Sequence, residues 1–337
     1  MDRRLFIKTS GIIAAQAAVL SGKSVAEEPA QQTKQPPQAM SIVNPFEQEG
    51  NWYKAALHVH TKTSDGDVEV AVRISQYREL GYDVVAVTDH WKTNDLSSFS
   101  DEKFLAISGM EAHPQTATGA PAHHFVCLNL PHPFELDKDL PAQQLVDKVI
   151  NAGGKVIYAH PYWTTHTLEE MAEVKGYIAL EVLNAVCNLQ AAKGFSNVHW
   201  DQLLNKGQIL PAVATDDVHS SRNINLGWTM VKAKALNTAE IMDSISNGCY
   251  YASAGPVIED FRAVDGTVTL KSSPAAQIRF LFSGSGGGRT IYAEEGKTIT
   301  TAEFKYIDNR TPCKWIRAEV VDEKGNSAWA NPIVINS

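Results

Sequence analysis

The chain has 337 residues, is 44% hydrophobic and 20% charged, and sets 30 Lys and Arg against 38 Asp and Glu for a net charge of −8. That composition excludes a disordered chain, a collagen-like fibre and a multi-pass membrane protein, and the acidic balance argues against a protein that grips nucleic acid through bulk charge. All 11 His lie between His58 and His219 and the last 118 residues hold none, so the length divides into a large part that carries chemistry and a smaller part that does not.

The N-terminus reads as an export signal. Arg3-Arg4-Leu5-Phe6-Ile7-Lys8 is a basic run, Gly11 to Leu20 is a short apolar stretch, and Ser24-Val25-Ala26 is a small-x-small cleavage site before Glu27. The apolar stretch is too short to span a bilayer, so a removed signal over 1–26 is expected and no stable membrane span. It resembles a bacterial Tat signal, which implies the Tat export machinery as a partner, export of folded protein, and a periplasmic or extracellular location. Cleavage would take Arg3, Arg4, Lys8 and Lys23 away with Asp2 and leave a mature charge of −11. Residues 27–43, rich in Gln, Pro and Ala, read as a flexible linker. Cys127, Cys187, Cys249 and Cys313 show no C-x-x-C spacing and fix no pairing.

From Lys54 onward, apolar runs alternate with helix-like stretches. Strands are expected over Ala55 to Val59, Asp83 to Val87, Phe104 to Ile107, His124 to Leu130, Lys155 to Ala159, Tyr177 to Leu183 and Ile209 to Ala214. Asp67 is a candidate cap for a helix with an apolar face of Val68, Val72 and Leu80, and Ala142 to Ala152 reads as a helix ended by Gly153-Gly154. Continuous Val, Ile and Ala strands separated by helices point to an α/β fold with a parallel sheet, either a barrel or an open doubly wound sheet. After about Gly255 the texture becomes short strands: Phe261 to Leu270, Gln277 to Ser283, Thr290 to Ala293, Thr301 to Ile307 and Lys314 to Asp322. Asp265-Gly266 and Lys324-Gly325-Asn326 mark hairpin turns. This is a small all-β, sandwich-like domain over 256–337. The Gly284–Gly288 run lacks the Lys-Ser/Thr and the strand–helix context of a phosphate loop and reads as a turn.

The polar residues fall at strand ends. His58-x-His60 ends the first strand, with Asp65 five residues on, and Asp89-His90 ends the second. Glu111 follows the third, His123-His124 opens the fourth, His160 ends the fifth, and Asp216-Asp217-x-His219 follows the run from Ile209. In α/β folds the carboxyl edge of the sheet is where catalytic groups gather, and only His124 begins its run. An H-x-H pair on a strand points both rings to one face. His with carboxylate and no Cys suits Zn, Mn or Fe. Nine candidate ligands exceed what one ion takes and suit two or three. His113, His132, His166 and His199 lack this placement and read as loop or surface residues.

His58-Val59-His60-Thr61 with Ser64-Asp65-Gly66, Val87-Thr88-Asp89-His90, Gly109-Met110-Glu111, His124-Phe125-Val126, Ala159-His160-Pro161 and Asp217-Val218-His219 resemble, in order and spacing, the motifs of the PHP (polymerase and histidinol phosphatase) superfamily. The resemblance spans roughly residues 50–255. It implies a distorted seven-stranded (β/α) barrel over 44–255 with a trinuclear metal site. The tail Ala328-Trp329-Ala330-Asn331-Pro332 resembles that of a secreted subgroup with a C-terminal β domain, including carbaryl hydrolase-like members. Carried over by position, His58, His60, Glu111 and Asp217 would hold one ion. Asp65, His90 and His219 would hold a second. Glu111, His124 and His160 would hold a third, with Glu111 bridging. His123 competes with His124 and Asp216 with Asp217; His124 directly precedes an apolar run and Asp217 has the D-x-H spacing, so these two are preferred.

The expected activity is hydrolysis of a small-molecule ester, foremost a phosphomonoester or phosphodiester, by metal-activated hydroxide. His219 or His160 is the candidate proton donor to the leaving group, and Asp89 is the carboxylate that orients a neighbouring ligand. Lys92 and Arg222 are candidate contacts to an anionic substrate, against their reading as solvated loop cations. Tyr162 and Trp163 form a candidate apolar wall, or cap the barrel. Glu181 and Asn184 line the pocket or serve structure alone. Two alternatives stand beside this reading: a carboxyl or carbamate ester hydrolase using the same metals, and a non-catalytic exported protein that binds metal or glycan.

Overall fold

Short runs of Val, Ile, Leu and Ala make the strands of this protein because they are buried on both faces. In the computed structural model, which describes residues 42–117, 122–284, 287–307 and 312–335, Val84–Val87 and Phe125–Leu128 have every side chain buried. The expected signal and nearly all of the expected linker lie outside the described residues, as do Ser285 and Gly286 of the Gly284–Gly288 turn. The elements run β1 (Asn51–Ala56), α1 (Val70–Glu79), β2 (Val84–Val87), β3 (Leu105–Ala112), β4 (Phe125–Leu128), α2 (Ala142–Asn151), β5 (Lys155–Tyr158), α3 (Leu168–Glu173), β6 (Tyr177–Asn184), α4 (Ala185–Ala191), α5 (Asn197–Asn205) and β7 (Ala212–Thr215). Then come β8 (Trp228–Ala233), α6 (Thr238–Ser246) and β9 (Tyr250–Ser253). The fold is mixed α/β, and among the described residues no helix is long and apolar enough to cross a membrane.

β1 to β7 are neighbours in sequence order within one large sheet. β1, β2 and β3 pair in parallel, as do β5, β6 and β7, but β4 is antiparallel to both β3 and β5. This reversal accounts for the one residue that looked misplaced. The start of β4, where His124 sits, lies on the same edge as the ends of its neighbours. Beyond the strand ends Val59 bridges Val218 in parallel, and His60 N–H donates to the Val218 carbonyl at 3.1 Å, so the two outer members of the strip meet. Ala55, Ala86, Ile107, Val126, Ile157, Ala179 and Val213, one from each strand of the strip, join a single buried apolar cluster.

Helix α1 buries a different face from the expected one. Val72 and Leu80 are 47% and 39% exposed, and the buried positions are Arg73, Ile74 and Tyr77. Asp67 does not cap the helix. It accepts from the Arg73 guanidinium and from Ser221 N–H, while Arg73 Nε donates to the His60 carbonyl at 3.1 Å. A buried Arg here ties two loops together, which hydrophobic patterning cannot anticipate.

The C-terminal strands are β10 (Ile258–Val264), β11 (Thr267–Ala275), β12 (Gln277–Phe282), β13 (Gly288–Tyr292), β14 (Ile299–Lys305), β15 (Trp315–Val321) and β16 (Ser327–Val334). The Asp265-Gly266 turn splits what read as a single run into β10 and β11. β10, β11 and β14 form a separate antiparallel sheet. The others extend the large sheet, with β16 pairing β9, β9 pairing β8 and β8 pairing β1, all antiparallel. Phe261 and Leu270 of the small sheet pack with Phe280 and Ala318 of the large one. All four cysteines are free and buried.

Asn331 on β16 is buried and meets three backbone groups. Its Oδ1 accepts from Ala212 N–H at 2.9 Å, and its Nδ2 donates to the Gly248 and Tyr250 carbonyls at 3.0 and 2.9 Å. It therefore pins the start of β7, the strand whose far end carries Asp217. Truncating it strands three buried polar groups. Asn331→Ala is expected to lose about 3 kcal/mol in chemical denaturation, since each unpaired buried group costs roughly 1–3 kcal/mol.

Candidate metal centre

His58 and His60 follow β1 with Val59 between them, so both rings turn to one side while Val59 enters the core. The chain then folds back on itself. A Cβ at Gly66 would lie 2.7 Å from the His60 carbonyl carbon, so only Gly allows this approach, which brings Asp65 to the rings. Glu111 lies within β3, next to its last residue, rather than following it. The Ala212–Thr215 strand delivers Asp217, whose φ of 56° is left-handed, and His160 after β5 has φ 26°. Such backbone in non-Gly residues costs on the order of 1–3 kcal/mol each and persists only where neighbours enforce it.

Glu111 is the common point. Its Oε2 lies 3.3 Å from His58 Nε2, 3.4 Å from His60 Nε2, 2.9 Å from His90 Nδ1 and 3.6 Å from His113 Nε2. Its Oε1 lies 2.8 Å from His124 Nδ1 and 3.3 Å from His160 Nε2. Asp217 Oδ1 lies 3.3 Å from His58 Nε2 and 3.1 Å from His60 Nε2. At the more open end, Asp65 Oδ2 is 3.4 Å from both His90 Nε2 and His219 Nε2. Donor atoms thus gather within 4.8 Å of one another in several groups. One is His58, His60, Glu111 and Asp217; a second is His60, Asp65, His90 and His219; a third is Glu111, His124 and His160.

The electrostatics suit cations. His58 Nδ1 is 2.7 Å from Glu181 Oε1, so a proton there leaves the Nε2 lone pair facing two carboxylates. His58 Nε2, His60 Nε2, His90 Nδ1, His113 Nε2, His160 Nδ1 and Asp217 Oδ1 are all buried without a hydrogen-bond partner. Burial alone would lower the His58 and His60 pKa values, but Asp217 and Glu111 outweigh it and push His60 up to about 9 and His58 well above its usual range. Burial would raise Glu111 and Asp217, yet the surrounding imidazoles hold both well below the usual carboxylate range. Buried acceptors that face one another are stable only with positive charge between them. The cluster has the makeup and spacing of a divalent-metal site.

The structure brings together His58, His60, Asp65, His90, Glu111, His124, His160, Asp217 and His219. It separates the two ambiguous pairs. Asp216 accepts the N–H groups of Asn225, Leu226 and Gly227 and the Tyr77 hydroxyl, and His123 Nδ1 pairs with the Tyr158 hydroxyl at 2.7 Å. Asp89 is buried away from the rings. It accepts from Thr61 N–H and Oγ1, Ser64 N–H and Oγ and Asn94 Nδ2, so it shapes the loop behind His60.

Of the expected substrate contacts, Asn184 is fully buried and Lys92 Nζ donates to the Thr63 carbonyl. Tyr162 and Arg222 lie off the cavity, which has a volume of about 370 Å³ and is walled on its apolar side by Trp163, Val186 and Cys187. Two residues were missed. His113 is no surface loop residue; it stacks 4.1 Å from the His124 ring and lines the cavity. Glu111-x-His113 has the same two-residue spacing as His58-x-His60, which was the available signal. His166 is also buried, and His199 Nε2 meets its carbonyl at 3.0 Å.

No family model matches the chain, and no curated protein matches it. Solved structures do. A two-domain protein from Bacteroides vulgatus containing a predicted PHP-like metal-dependent phosphoesterase is similar over 89% of this chain and 99% of its own, at 16% identity and a TM-score of 0.49. A candidate metal-dependent phosphoesterase from Bifidobacterium adolescentis is similar over 58% of this chain and 96% of its own, at 15% identity and a TM-score of 0.41. An amidohydrolase from Chromobacterium violaceum is similar over 50% of this chain and 89% of its own, at 16% identity and a TM-score of 0.36.

The two neighbouring aspartates should separate by experiment. Asp216→Asn turns an amide N–H toward backbone N–H donors, and about 2–3 kcal/mol of stability is expected to be lost with bound metal retained. Asp217→Asn should instead lower metal content with a smaller loss in denaturation midpoint.

Proposed function

We propose that the chain is an exported divalent-metal-dependent hydrolase of PHP type, acting foremost on phosphoesters, with β1 to β7 as its distorted seven-stranded barrel. The observation that carries this reading is the set of three ligand groups described above, two of which share Glu111 and two of which share His60, built from motifs in the family's order. Divalent ions held there, Zn, Mn or Fe, would make hydroxide available near neutral pH and neutralise charge on the phosphoryl group. The chain's own residues do the rest. Glu111 and Asp217 would balance the cation charge, and His219, its side chain 30% exposed beside Asp65, is the most open imidazole of the three groups. Trp163, 40% exposed and packed 5.2 Å from the His160 ring, offers an apolar wall to the departing moiety.

One observation favours the second reading, a carboxyl or carbamate ester. Among the residues that line the cavity there is no Lys or Arg, so apart from bound cations nothing there would hold a phosphate dianion. The full ligand set speaks against a non-catalytic binding module.

Four measurements test this. Metal analysis of replete protein should find at least two ions per chain, and His58→Ala with His60→Ala should abolish turnover. With p-nitrophenyl phosphate, its bis ester, and phenyl carbamate or acetate, the phosphoesters should turn over faster; preference for the acyl esters overturns the first reading in favour of the second. Export by the twin-arginine route predicts a mature N-terminus at Glu27, read by intact mass of protein from the periplasmic or culture fraction.

A further inference from the structure

Glu181 belongs to none of the motifs, yet it lies at the back of the cluster, on β6, fully buried. Four donors converge on its carboxylate. Oε1 receives His58 Nδ1 at 2.7 Å and Thr215 Oγ1 at 2.9 Å; Oε2 receives His160 N–H at 2.9 Å and Asn184 Nδ2 at 2.9 Å. A carboxylate has about four lone-pair positions, and here all four are filled. It has none left for a metal ion, although its place beside His58 and His160 would otherwise suit one.

We propose that Glu181 is the positioning residue that holds His58, His160 and Asp217 in ligand geometry together, and that it fixes His58 as the Nδ1–H tautomer. The His58 ring is bonded directly. The His160 main chain, at φ 26°, is bonded at its N–H. Asp217, at φ 56°, is held by the other hydrogen of the same Asn184 amide, at 3.0 Å to Oδ2. The left-handed residues His160 and Asp217 in the cluster are thus the ones tethered to Glu181. Among the described residues, Asp65, His90 and His219 make no hydrogen bond with it. The chemistry is specific to a carboxylate. A Gln at 181 would turn an amide N–H toward two donors whichever way it faced.

The inference rests on the metal reading above, and the test separates the two. Zinc-loaded wild type, Glu181→Gln and Glu181→Asp are titrated with a chelator, and the zinc retained is measured at each step. Glu181→Gln is expected to lose 10–100-fold in affinity for the ions held by His58, Asp217 and His160. The ion held by Asp65, His90 and His219 should keep wild-type affinity. Glu181→Asp keeps the charge and should recover part of the loss. A merely structural role would weaken all ions alike. Nitrogen-15 spectra of the zinc-loaded wild type give a readout independent of any variant, with the His58 proton expected on Nδ1. Uniform weakening, unchanged affinity or a proton on Nε2 overturns the role of Glu181 alone. A wild type that binds no divalent ion overturns the metal reading and this inference with it.

Discussion

One buried carboxylate organises the centre. Six imidazoles come within 3.6 Å of the Glu111 oxygens, and they arrive from the ends of β1, β2, β3 and β5 and the start of β4. Dense buried charge of this kind is tolerable only when it is neutralised locally. The sheet must therefore deliver every ring to one edge, and the strand directions follow from that demand. β4 runs against its neighbours, so the residue just before its start, His124, reaches Glu111.

The shell behind the rings divides the work by chemistry. Carboxylates that face the cluster, Glu111, Asp65 and Asp217, leave oxygens turned toward their neighbours' ring nitrogens. Those that face away have every oxygen engaged by N–H or O–H donors: Asp89 by the 61–64 loop, Asp216 by the 225–227 loop, Glu181 by four groups at once. Arg73 adds the one buried cation of that shell, fixing the His60 carbonyl from α1. Acidity in this protein is thus of two kinds, and net charge cannot tell them apart.

Much of the site was legible in the sequence because period-two spacing translates directly into geometry: His58-x-His60 and Asp217-x-His219 each present two candidate ligands together. The strands were legible for the same reason, as apolar runs too short for helices. What escaped was set by contacts between distant segments. The D-x-H spacing favours Asp217 over Asp216, but the loop at 225–227 that engages Asp216 is invisible to it. The sequence leaves Glu181 between lining the pocket and serving structure alone, because its partners His58, His160 and Thr215 sit on three other segments. The face of α1 was misread because a buried Arg counts as polar in any periodicity argument. His113 escaped although its spacing from Glu111 obeyed the rule already applied to His58 and His60.

The position of Asn331 has a bearing on the order in which the molecule can be made. It lies on β16, 119 residues after Ala212, yet it clamps the beginning of the strand that leads to Asp217. A ribosome makes β7 well before it makes β16. The amino-terminal candidate ligands can gather early, but β7 gains its anchor only once β16 has emerged. Any ion bound in all three groups would therefore meet a chain grown through β16.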